Sequence, residues 1–367
     1  MRVLMTGGGT AGHINPALAI ANTIKMNIPD AEIEFVGTER GLENTLVTKE
    51  GYKLHHVNIM GISRSLSPKN IKAVLLTVTS QFEAKKIIKE FKPDIVIGTG
   101  GYITFPVIYA AHRLHIKTVI HESNAYPGKT TRALSKYADI IFLNFIDSKN
   151  YFENKNTVVS GTPFLKGFLA QNVTKKRSSN IKTVLCFGGS LGAEKINECA
   201  IELAKKIMYS KENVRLIWGC GTREYLKCKN KLEQLDLLNE DKITLYDYIN
   251  NMPQILCEAD VVVCRAGAMS IAEMAYNKKC TVFIPSPNVT DDHQYKNAKV
   301  LVDNNCACLV EENNINHVTN VVFDLLNDEN KRNELSENIG KFCKRDSNKI
   351  IYNEIEKLII NNKARIK

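Results

Sequence analysis

The sequence has no apolar segment long enough to cross a membrane. Its longest aliphatic runs, such as residues 73–76 and 261–264, are far shorter than the ~20 residues that a spanning helix needs. The apolar run before Gly7 is also too short for the core of a signal peptide. With 21 glycines and 10 prolines among 367 residues, the chain is neither collagen-like nor disordered. These absences predict a folded protein that resides in the cytoplasm.

The cysteines form no metal-binding or disulfide pattern. All ten lie between Cys186 and Cys343, without a CxxC pair or zinc-type spacing. Those at 186, 264 and 280 stand in apolar, strand-like runs, where a free cysteine usually acts as a small buried hydrophobe. The neighbouring acids Asp291 and Asp292 have no third ligand at a suitable spacing. We therefore expect reduced thiols and no metal site.

Acidic residues are fewer than basic ones. The chain has 49 Lys and Arg residues and 39 Asp and Glu residues, so its net charge is +10. The segment Arg64–Lys92 holds seven basic residues and two acidic ones. Phosphorylated substrates and an anionic membrane surface suit this charge. Nucleic acid is not predicted as a partner, because the chain has one tryptophan and no recognisable reader module.

Short β-branched runs alternate with helical patterns along the whole chain, which is typical of parallel sheets built from βαβ units. The predicted strands are Arg2–Met5, Glu32–Val36, Leu54–Val57, Asp94–Ile97, Thr118–Ile120, Ile140–Leu143, Thr157–Val159, Thr183–Cys186, Arg215–Trp218, Ile243–Leu245, Asp260–Cys264, Thr281–Ile284 and Ala307–Val310. Strand, glycine turn and helix follow one another both at Arg2–Gly9 and at Lys182–Gly189. We therefore predict an α/β protein of two Rossmann-like, doubly wound domains facing across a cleft, over residues 1–163 and 164–340.

Three strand ends of the first half carry groups suited to chemistry. The turn Gly7–Gly12 satisfies the G-x-G-x-x-G pattern, and His13 stands where a P-loop would have its lysine. Gly98–Tyr102 ends another strand, and His121–Asn124 ends the next. Because parallel strands deliver their carboxyl ends to one edge, an imidazole, a carboxylate and an amide should converge there.

The second half offers a nucleotide site of the same kind. Gly188-Gly189-Ser190 follows a strand and precedes a helix, so its amides and the helix dipole suit a phosphate. Cys264–Glu273 makes another strand-to-helix turn, and the carboxylate of Glu273 could accept both hydroxyls of a ribose.

Six motifs in this order resemble glycosyltransferase family 28, the MurG family of peptidoglycan synthesis. They are Gly8–His13 (GGTAGH), Gly98–Tyr102 (GTGGY), His121–Gly128 (HESNAYPG), Gly188–Ala193 (GGSLGA), Arg265–Glu273 (RAGAMSIAE) and His293–Ala298 (HQYKNA). The resemblance implies a GT-B fold, in which a C-terminal helix, here in residues 341–367, returns to the first domain. It also implies an inverting enzyme without a cofactor. It would move N-acetylglucosamine from UDP-GlcNAc to the C4 hydroxyl of the lipid-linked N-acetylmuramyl pentapeptide, lipid I, giving lipid II for cell-wall biogenesis, cell shape and division.

The resemblance also implies roles for individual residues. His13 and Glu122 would be the base and the group that orients it, in either order. Gly189 and Ser190 would contact the diphosphate, the Ile249 backbone the uracil, Glu273 the ribose and Gln294 the sugar. The other implied donor contacts are Thr10, Ala11, Gly12, Asn124, Ala268, Met269, Ser270, Ile271 and Ala272.

A lipid-linked acceptor implies a peripheral enzyme at the cytoplasmic face of the bacterial membrane, with other cell-wall synthesis proteins as partners. From Asn70 onward, apolar residues follow helical spacing beside basic ones, which indicates either an amphipathic helix on the core or a membrane-binding face. The lipid substrate favours the second interpretation. The predicted contacts are Ile62, Lys69, Lys72, Leu75 and Leu76.

Three alternatives remain open from the sequence. An NAD-dependent oxidoreductase would use the first glycine pattern but leave the second half without a role. A nucleic-acid-binding protein would explain the positive charge only. Another UDP-sugar-dependent GT-B enzyme, either a glycolipid synthase or an epimerase, would share both domains and differ in its acceptor.

Overall fold

The computed structural model of the chain describes residues 1–61, 69–169, 181–189, 191–238 and 241–366. The chain divides into two compact units, residues 1–170 with 344–367 (unit 1) and residues 171–343 (unit 2). Each unit is built on one parallel sheet, so the predicted fold class is confirmed.

The sheet of unit 1 has the strand order β3-β2-β1-β4-β5-β6-β7. Its strands are β1 (Arg2–Thr6), β2 (Glu32–Gly37), β3 (Lys53–His56), β4 (Ile95–Gly98), β5 (Lys117–Glu122), β6 (Ile140–Leu143) and β7 (Thr157–Val159). The direction of strand addition reverses between β1 and β4, where Thr6 pairs with Gly98. The turns that follow β1 and β4 are therefore neighbours at the carboxyl edge of the sheet, the usual ligand position of such folds.

The sheet of unit 2 has the order β10-β9-β8-β11-β12-β13. Its strands are β8 (Lys182–Phe187), β9 (Val214–Gly219), β10 (Ile243–Tyr246), β11 (Val261–Cys264), β12 (Thr281–Phe283) and β13 (Cys308–Leu309). Here the reversal lies between β8 and β11, where Phe187 pairs with Cys264. All thirteen predicted strands overlap observed ones, because buried parallel strands are nearly continuous apolar runs that stand out in a sequence.

Helices cover both faces of each sheet. In unit 1 they are α1 (Ala11–Asn27), α2 (Glu43–Lys49), α3 (Lys69–Phe91), α4 (Thr104–Arg113), α5 (Lys129–Leu134), α6 (Lys166–Leu169) and the C-terminal α14 (Ser347–Ile366). In unit 2 they are α7 (Glu194–Tyr209), α8 (Tyr225–Gln234), α9 (Met252–Glu258), α10 (Ala268–Tyr276), α11 (His293–Asp303), α12 (Val318–Asn327) and α13 (Glu329–Gly340). Short 3₁₀ helices occupy Ile146–Tyr151, Thr290–Asp292 and Glu312–His317. None of the helices in the described ranges is long and apolar enough to span a bilayer.

The C-terminal helix α14 belongs to unit 1 together with the segment after Gly161. The Ser347 hydroxyl donates to the Thr162 carbonyl at 2.7 Å. The amide side chain of Asn348 bonds both the N–H and the C=O of Phe164, each at 2.9 Å. Three isoleucines of α14, including Ile355, are buried in the core beneath the sheet. These contacts keep residues 164–170 in unit 1, whereas the sequence placed the boundaries at 163 and 340.

The cysteines of the strand-like runs lie in the core of unit 2, as predicted. Cys186, Cys264 and Cys280 are at most 1% exposed. Burial raises the pKa of the Cys280 thiol to about 12, so this sulfur stays protonated at neutral pH. These thiols serve packing in the described structure.

Candidate functional site

His13 lies in the first turn of α1, directly after the glycine turn that follows β1. Its Nδ1 is 3.2 Å from the Thr99 carbonyl oxygen. A carbonyl can only accept, so Nδ1 carries a proton in this contact. The Thr99 hydroxyl in turn donates to the His13 carbonyl at 2.6 Å. Thr99, which the sequence analysis did not single out, therefore orients the ring and fixes the backbone of His13.

The loop after β4 forms the wall against which the His13 ring packs. Gly100 has φ +115°, and a Cβ built there would lie 2.5 Å from His13 Nδ1. Gly101 approaches the first turn equally closely, since its Cβ would lie 2.4 Å from the Gly8 carbonyl oxygen. The two predicted glycine loops of unit 1 thus interlock through backbone that only glycine allows.

We expect Gly100→Ala to lower kcat by at least about tenfold, since the new methyl group must displace the imidazole and misplacing a reacting group is costly. UDP affinity should not change, because the change is confined to unit 1. Gly51→Ala is the matched control: Gly51 also has positive φ, at +81°, but its Cβ would meet nothing within 4 Å. Steady-state kinetics of both variants checks this, and equal kcat values would contradict it.

Glu122 ends β5 and is only 3% exposed. One carboxylate oxygen accepts from the Asn124 N–H at 2.9 Å and from its side-chain amide at 3.0 Å, while the other accepts from the Gly128 N–H at 3.0 Å. Both oxygens are therefore engaged with the loop that leads into α5. In this arrangement Glu122 orients Asn124 and has no free oxygen directed at a substrate.

His121 precedes this carboxylate and points to the other side of β5. Its Nε2 donates to the Gly161 carbonyl at 3.1 Å, and Ser123 Oγ lies 3.3 Å from its Nδ1. Burial lowers the pKa of His121, so the ring is neutral. Its role in the described structure is to tie β5 to the segment after β7.

In unit 2, the turn after β8 is open on one side and tightly packed on the other. Gly189 has φ +92°, and a Cβ there would meet nothing within 4 Å. Gly192 and Gly221 instead pack backbone against backbone, with a Gly221 Cβ only 2.1 Å from the Gly192 nitrogen. Helix α7 begins at Glu194 with no side-chain cap on its first amides. The amides of a helix N-terminus and the helix dipole suit a phosphate; Ser190 itself lies outside the described residues.

Glu273 lies on the second turn of α10, which follows β11. Burial raises the pKa of this carboxyl to about 7. A half-buried carboxyl without a basic partner of its own binds hydroxyl donors well once it ionises. This is the electrostatic setting expected of a group that accepts two ribose hydroxyls.

The remaining predicted donor contacts fall into two groups. Thr10, Ala11 and Gly12 are at the start of α1, and Ala268, Met269 and Ser270 are at the start of α10, all at least partly exposed. The side chains of Ile249, Ile271 and Ala272 are buried, so only their backbone could face a ligand. Gln294 begins α11 and accepts from the Ser286 N–H at 2.9 Å, which leaves its side-chain NH₂ as the free donor group.

Three polar residues that the sequence analysis did not assign hold the unit 2 loops in place. Arg265 donates to the Ile284 carbonyl at 3.0 Å and pairs with Glu312. Asn197, at the start of α7, accepts from Trp218 and donates to the Cys220 carbonyl, each at 3.1 Å. Asn297 of α11 donates to the Ala266 carbonyl at 3.4 Å. Arg265 and Asn297 lie within the sequence motifs quoted above, so their position in those motifs could have indicated a role for them.

Helix α3 carries an exposed apolar stripe in unit 1. Its inner face consists mainly of small or aliphatic side chains, among them Ala73, Ser80 and Ala84. The stripe consists of Ile71, Val74, Leu75, Val78 and Phe82. The predicted helical spacing is confirmed, and the interpretation in which this face packs on the core is wrong. Leu75 is exposed and Leu76 half-buried, while Ile62 and the side chains of Lys69 and Lys72 lie outside the described residues.

Within the described ranges, no three His, Cys, Asp or Glu side chains are grouped so that they could hold a metal ion. Asp291 and Asp292 stand in a turn where both have φ near +54°, before α11. The ligand chemistry of both units therefore consists of backbone amides, hydroxyls, imidazole and carboxylate.

Comparison with known proteins agrees with the division of the chain into two domains. The N-terminal domain of glycosyltransferase family 28 matches residues 3–143, and the C-terminal domain of that family matches residues 183–351. An Alkaliphilus oremlandii protein is 41% identical over 86% of this chain and 87% of its own length. One from Acetivibrio thermocellus is 39% identical over 99% of this chain and 100% of its own. Both are named UDP-N-acetylglucosamine–N-acetylmuramyl-(pentapeptide) pyrophosphoryl-undecaprenol N-acetylglucosamine transferase.

Solved structures share the architecture. The crystal structure of Acinetobacter baumannii MurG aligns with a TM-score of 0.78 and 27% identity, covering 97% of this chain and 99% of that one. A UDP-GlcNAc 2-epimerase from Neisseria meningitidis shares the fold alone, with a TM-score of 0.68, 16% identity, and coverage of 97% and 100%. Because the two domain matches span most of the sequence and full-length relatives are about 40% identical, the chain belongs to glycosyltransferase family 28.

Proposed function

We propose that the chain transfers N-acetylglucosamine from UDP-GlcNAc to the C4 hydroxyl of the muramyl sugar of lipid I, forming lipid II. The observation that carries the proposal is the full-length match to relatives named for this transfer. It is supported by the position of the motifs, since five of the six lie at or directly after strand ends of the two sheets and the sixth, His293–Ala298, begins helix α11. This is an enzyme of peptidoglycan synthesis.

The direct test is incubation with UDP-GlcNAc and lipid I, with detection of UDP and lipid II. We expect UDP release to depend on the acceptor. An epimerase of the same fold would instead change UDP-GlcNAc in the absence of an acceptor. Acceptor-independent conversion of the nucleotide sugar would overturn the transferase assignment.

We assign the base to His13 because the contact of its Nδ1 with the Thr99 carbonyl oxygen orients the ring, and an imidazole so oriented can accept a proton at Nε2. In a single displacement, the C4 hydroxyl gives its proton to Nε2 while its oxygen bonds to C1 of the donor sugar. The C1–O bond to the diphosphate breaks, and the electron pair leaves with UDP, so the anomeric centre inverts. Glu122 acts as a positioning residue that holds Asn124, one of the implied donor contacts, in place.

The donor binds to unit 2 in this proposal. The charge that grows on departing UDP meets the amides of Gly189 and of the first turn of α7, where the helix dipole contributes about half a positive charge. Glu273 accepts the ribose hydroxyls, the Ile249 backbone meets the uracil and the Gln294 amide donates to the sugar. No step requires a cofactor, because transfer from a nucleotide sugar changes no oxidation state.

We further propose that the apolar stripe of α3 is the membrane contact that a lipid-linked acceptor needs, with the enzyme working at the cytoplasmic face of the membrane. Phe82 is 70% exposed and Leu75 62% exposed, which is unusual for large apolar side chains. Lys85, Lys86 and Lys89 are exposed on the same helix. Shallow insertion of the stripe would bring these cations to anionic headgroups, each contributing about 1 kcal/mol.

We expect the double variant Leu75→Ser, Phe82→Ser to bind anionic vesicles about tenfold more weakly or worse, since it loses two side chains that would enter the acyl boundary. Leu226→Ser is the matched control, because Leu226 is 71% exposed but lies on α8 in unit 2. Liposome co-sedimentation at low and high salt measures the effect. Equal binding of the two variants would place the membrane contact elsewhere and leave the transferase proposal intact.

A further inference from the structure

Glu43, the first residue of α2, is a buried carboxylate for which the mechanism above has no use. It is 1% exposed, and none of the ion pairs within the described ranges includes it. Burying a carboxylate without a cation is costly unless several donors satisfy it. The structure supplies such donors.

The carboxylate bridges the carboxyl ends of two neighbouring strands. Its Oε1 accepts from the Thr38 N–H at 2.9 Å and from the Thr38 hydroxyl at 2.7 Å, directly after β2. Its Oε2 accepts from the Gly9 N–H at 3.3 Å, in the turn after β1. Gly9 precedes Thr10, whose carbonyl accepts the first helical bonds of α1, including that from the His13 N–H at 3.0 Å. A short chain of contacts thus links Glu43 to His13.

Three glycines leave the space that this carboxylate occupies. A Cβ at Gly37 would lie 2.5 Å from the Glu43 side chain, one at Gly41 would lie 2.1 Å from Oε2, and one at Gly8 would lie 3.0 Å from Oε1. The carboxylate therefore fits a pocket formed by glycine backbone and donor groups. The space is left by Gly8, Gly37 and Gly41 and not by Gly9, since a Cβ at Gly9 would meet only Tyr102, at 3.9 Å, much as one at Gly189 of unit 2 would meet nothing within 4 Å.

We propose that Glu43 is a positioning residue that serves as a built-in anion for the glycine turn of unit 1. A strand-turn-helix turn of this type ordinarily offers its amides to a phosphate. Here the chain's own carboxylate takes the Gly9 amide and holds the turn in the shape that presents Thr10 and His13. The unit 1 turn thereby holds His13 in place, and its Gly9 amide is occupied by the chain's own carboxylate instead of a phosphate. The catalytic consequence rests on the proposed function.

The test replaces the carboxylate by its neutral isostere. In Glu43→Gln, an NH₂ group must face either Gly9 or Thr38, both of which are donors, so the bridge breaks at one end. We expect kcat to fall about 10- to 100-fold, while Kd for UDP changes less than twofold. Glu43→Ala should lose at least as much and regain activity in a saturable way with added formate, which can occupy the vacated donors.

Asp139→Asn is the matched control. Asp139 also accepts from the N–H and hydroxyl of a threonine, Thr118, at 2.8 and 3.3 Å, but it lies at the amino edge of the same sheet. We expect it to lower the melting temperature without lowering kcat. A wild-type kcat in folded Glu43→Gln, or an equal kcat loss in Asp139→Asn, would overturn the proposal.

A spectroscopic readout separates this proposal from the transferase assignment. In ¹⁵N-histidine-labelled protein, Glu43→Gln should shift the imidazole signals of His13 and leave those of His317 in unit 2 unchanged. That shift is expected whether or not the protein makes lipid II. An unmoved His13 signal refutes the positioning role, whereas a shifted signal in a protein without transferase activity refutes the proposed function alone.

Discussion

His13→Ala should lower kcat by about 10²- to 10⁴-fold, the range that a positioned general base contributes. The variant removes Nε2, the proton acceptor of the proposed mechanism, and the acceptor hydroxyl would then lose its proton only to water. Affinity for UDP should be nearly unchanged, because the proposed donor contacts lie in unit 2. A fall in kcat and kcat/KM together is the signature of a contact made in the transition state.

His317→Ala provides the control for loss of a histidine, since His317 is exposed in unit 2. Circular dichroism and isothermal titration with UDP establish that each variant is folded and binds the nucleotide. Near-normal turnover by folded His13→Ala would show that the imidazole is only a structural part of the turn. In that case the acceptor proton must leave through another group.

Glu273→Gln should weaken UDP binding about 10- to 100-fold at pH 8, because hydrogen bonds to a charged acceptor contribute about 1.5–3 kcal/mol each. The loss should appear in the Kd for UDP and the KM for UDP-GlcNAc with little effect on kcat, since the ribose is bound alike before and during the reaction. Calorimetry with UDP measures it directly. Unchanged affinity would remove Glu273 from the donor site.

The pH dependence of UDP affinity in the same variant tests whether the charge of Glu273 is the cause of the weaker binding. Burial raises the pKa of Glu273 to about 7, so the carboxyl is largely protonated below that pH and accepts ribose hydroxyls less well. The ratio of wild-type to Glu273→Gln affinity should therefore rise as pH increases through 7; taking the ratio cancels the titration of UDP itself. The stability of the ligand-free protein should change with pH in the opposite direction. Because the pKa of folded Glu273 is raised above the ordinary value of 4.5, this group contributes stability below pH 4.5, and that contribution is lost as the pH rises through 7. Glu273→Gln should flatten that decline.

The periodicity of the sequence was enough to predict the strands, the fold class and the glycine turns. Buried parallel strands such as Ile95–Gly98 are short apolar runs, and each turn needs glycine where backbone approaches backbone, as at Gly101. These are local requirements, so they are visible without the fold. The order of the motifs also carried the family assignment, which the domain matches confirm.

Only the tertiary structure decided what the polar side chains contact. The sequence left Glu122 and His13 interchangeable as base or orienting group, and our proposal that His13 is the base is supported by the hydrogen bonds of Glu122 to Asn124 and Gly128. The sequence did not indicate a role for Glu43. Its donor Gly9 is distant in sequence, and its contact with Thr38 depends on the shape of the turn between the two residues.

The same holds for exposure and for the division of the chain. Helical spacing showed that Leu75 and Phe82 share a face of α3, but it did not show which face is buried. Tertiary packing buries the face that carries Ala73, Ser80 and Ala84. The hydrogen bonds of α14 to Thr162 and Phe164 join residues far apart in the chain and assign that segment to unit 1. Periodicity is a property of neighbours in sequence, whereas burial and hydrogen-bond partners depend on contacts between distant residues.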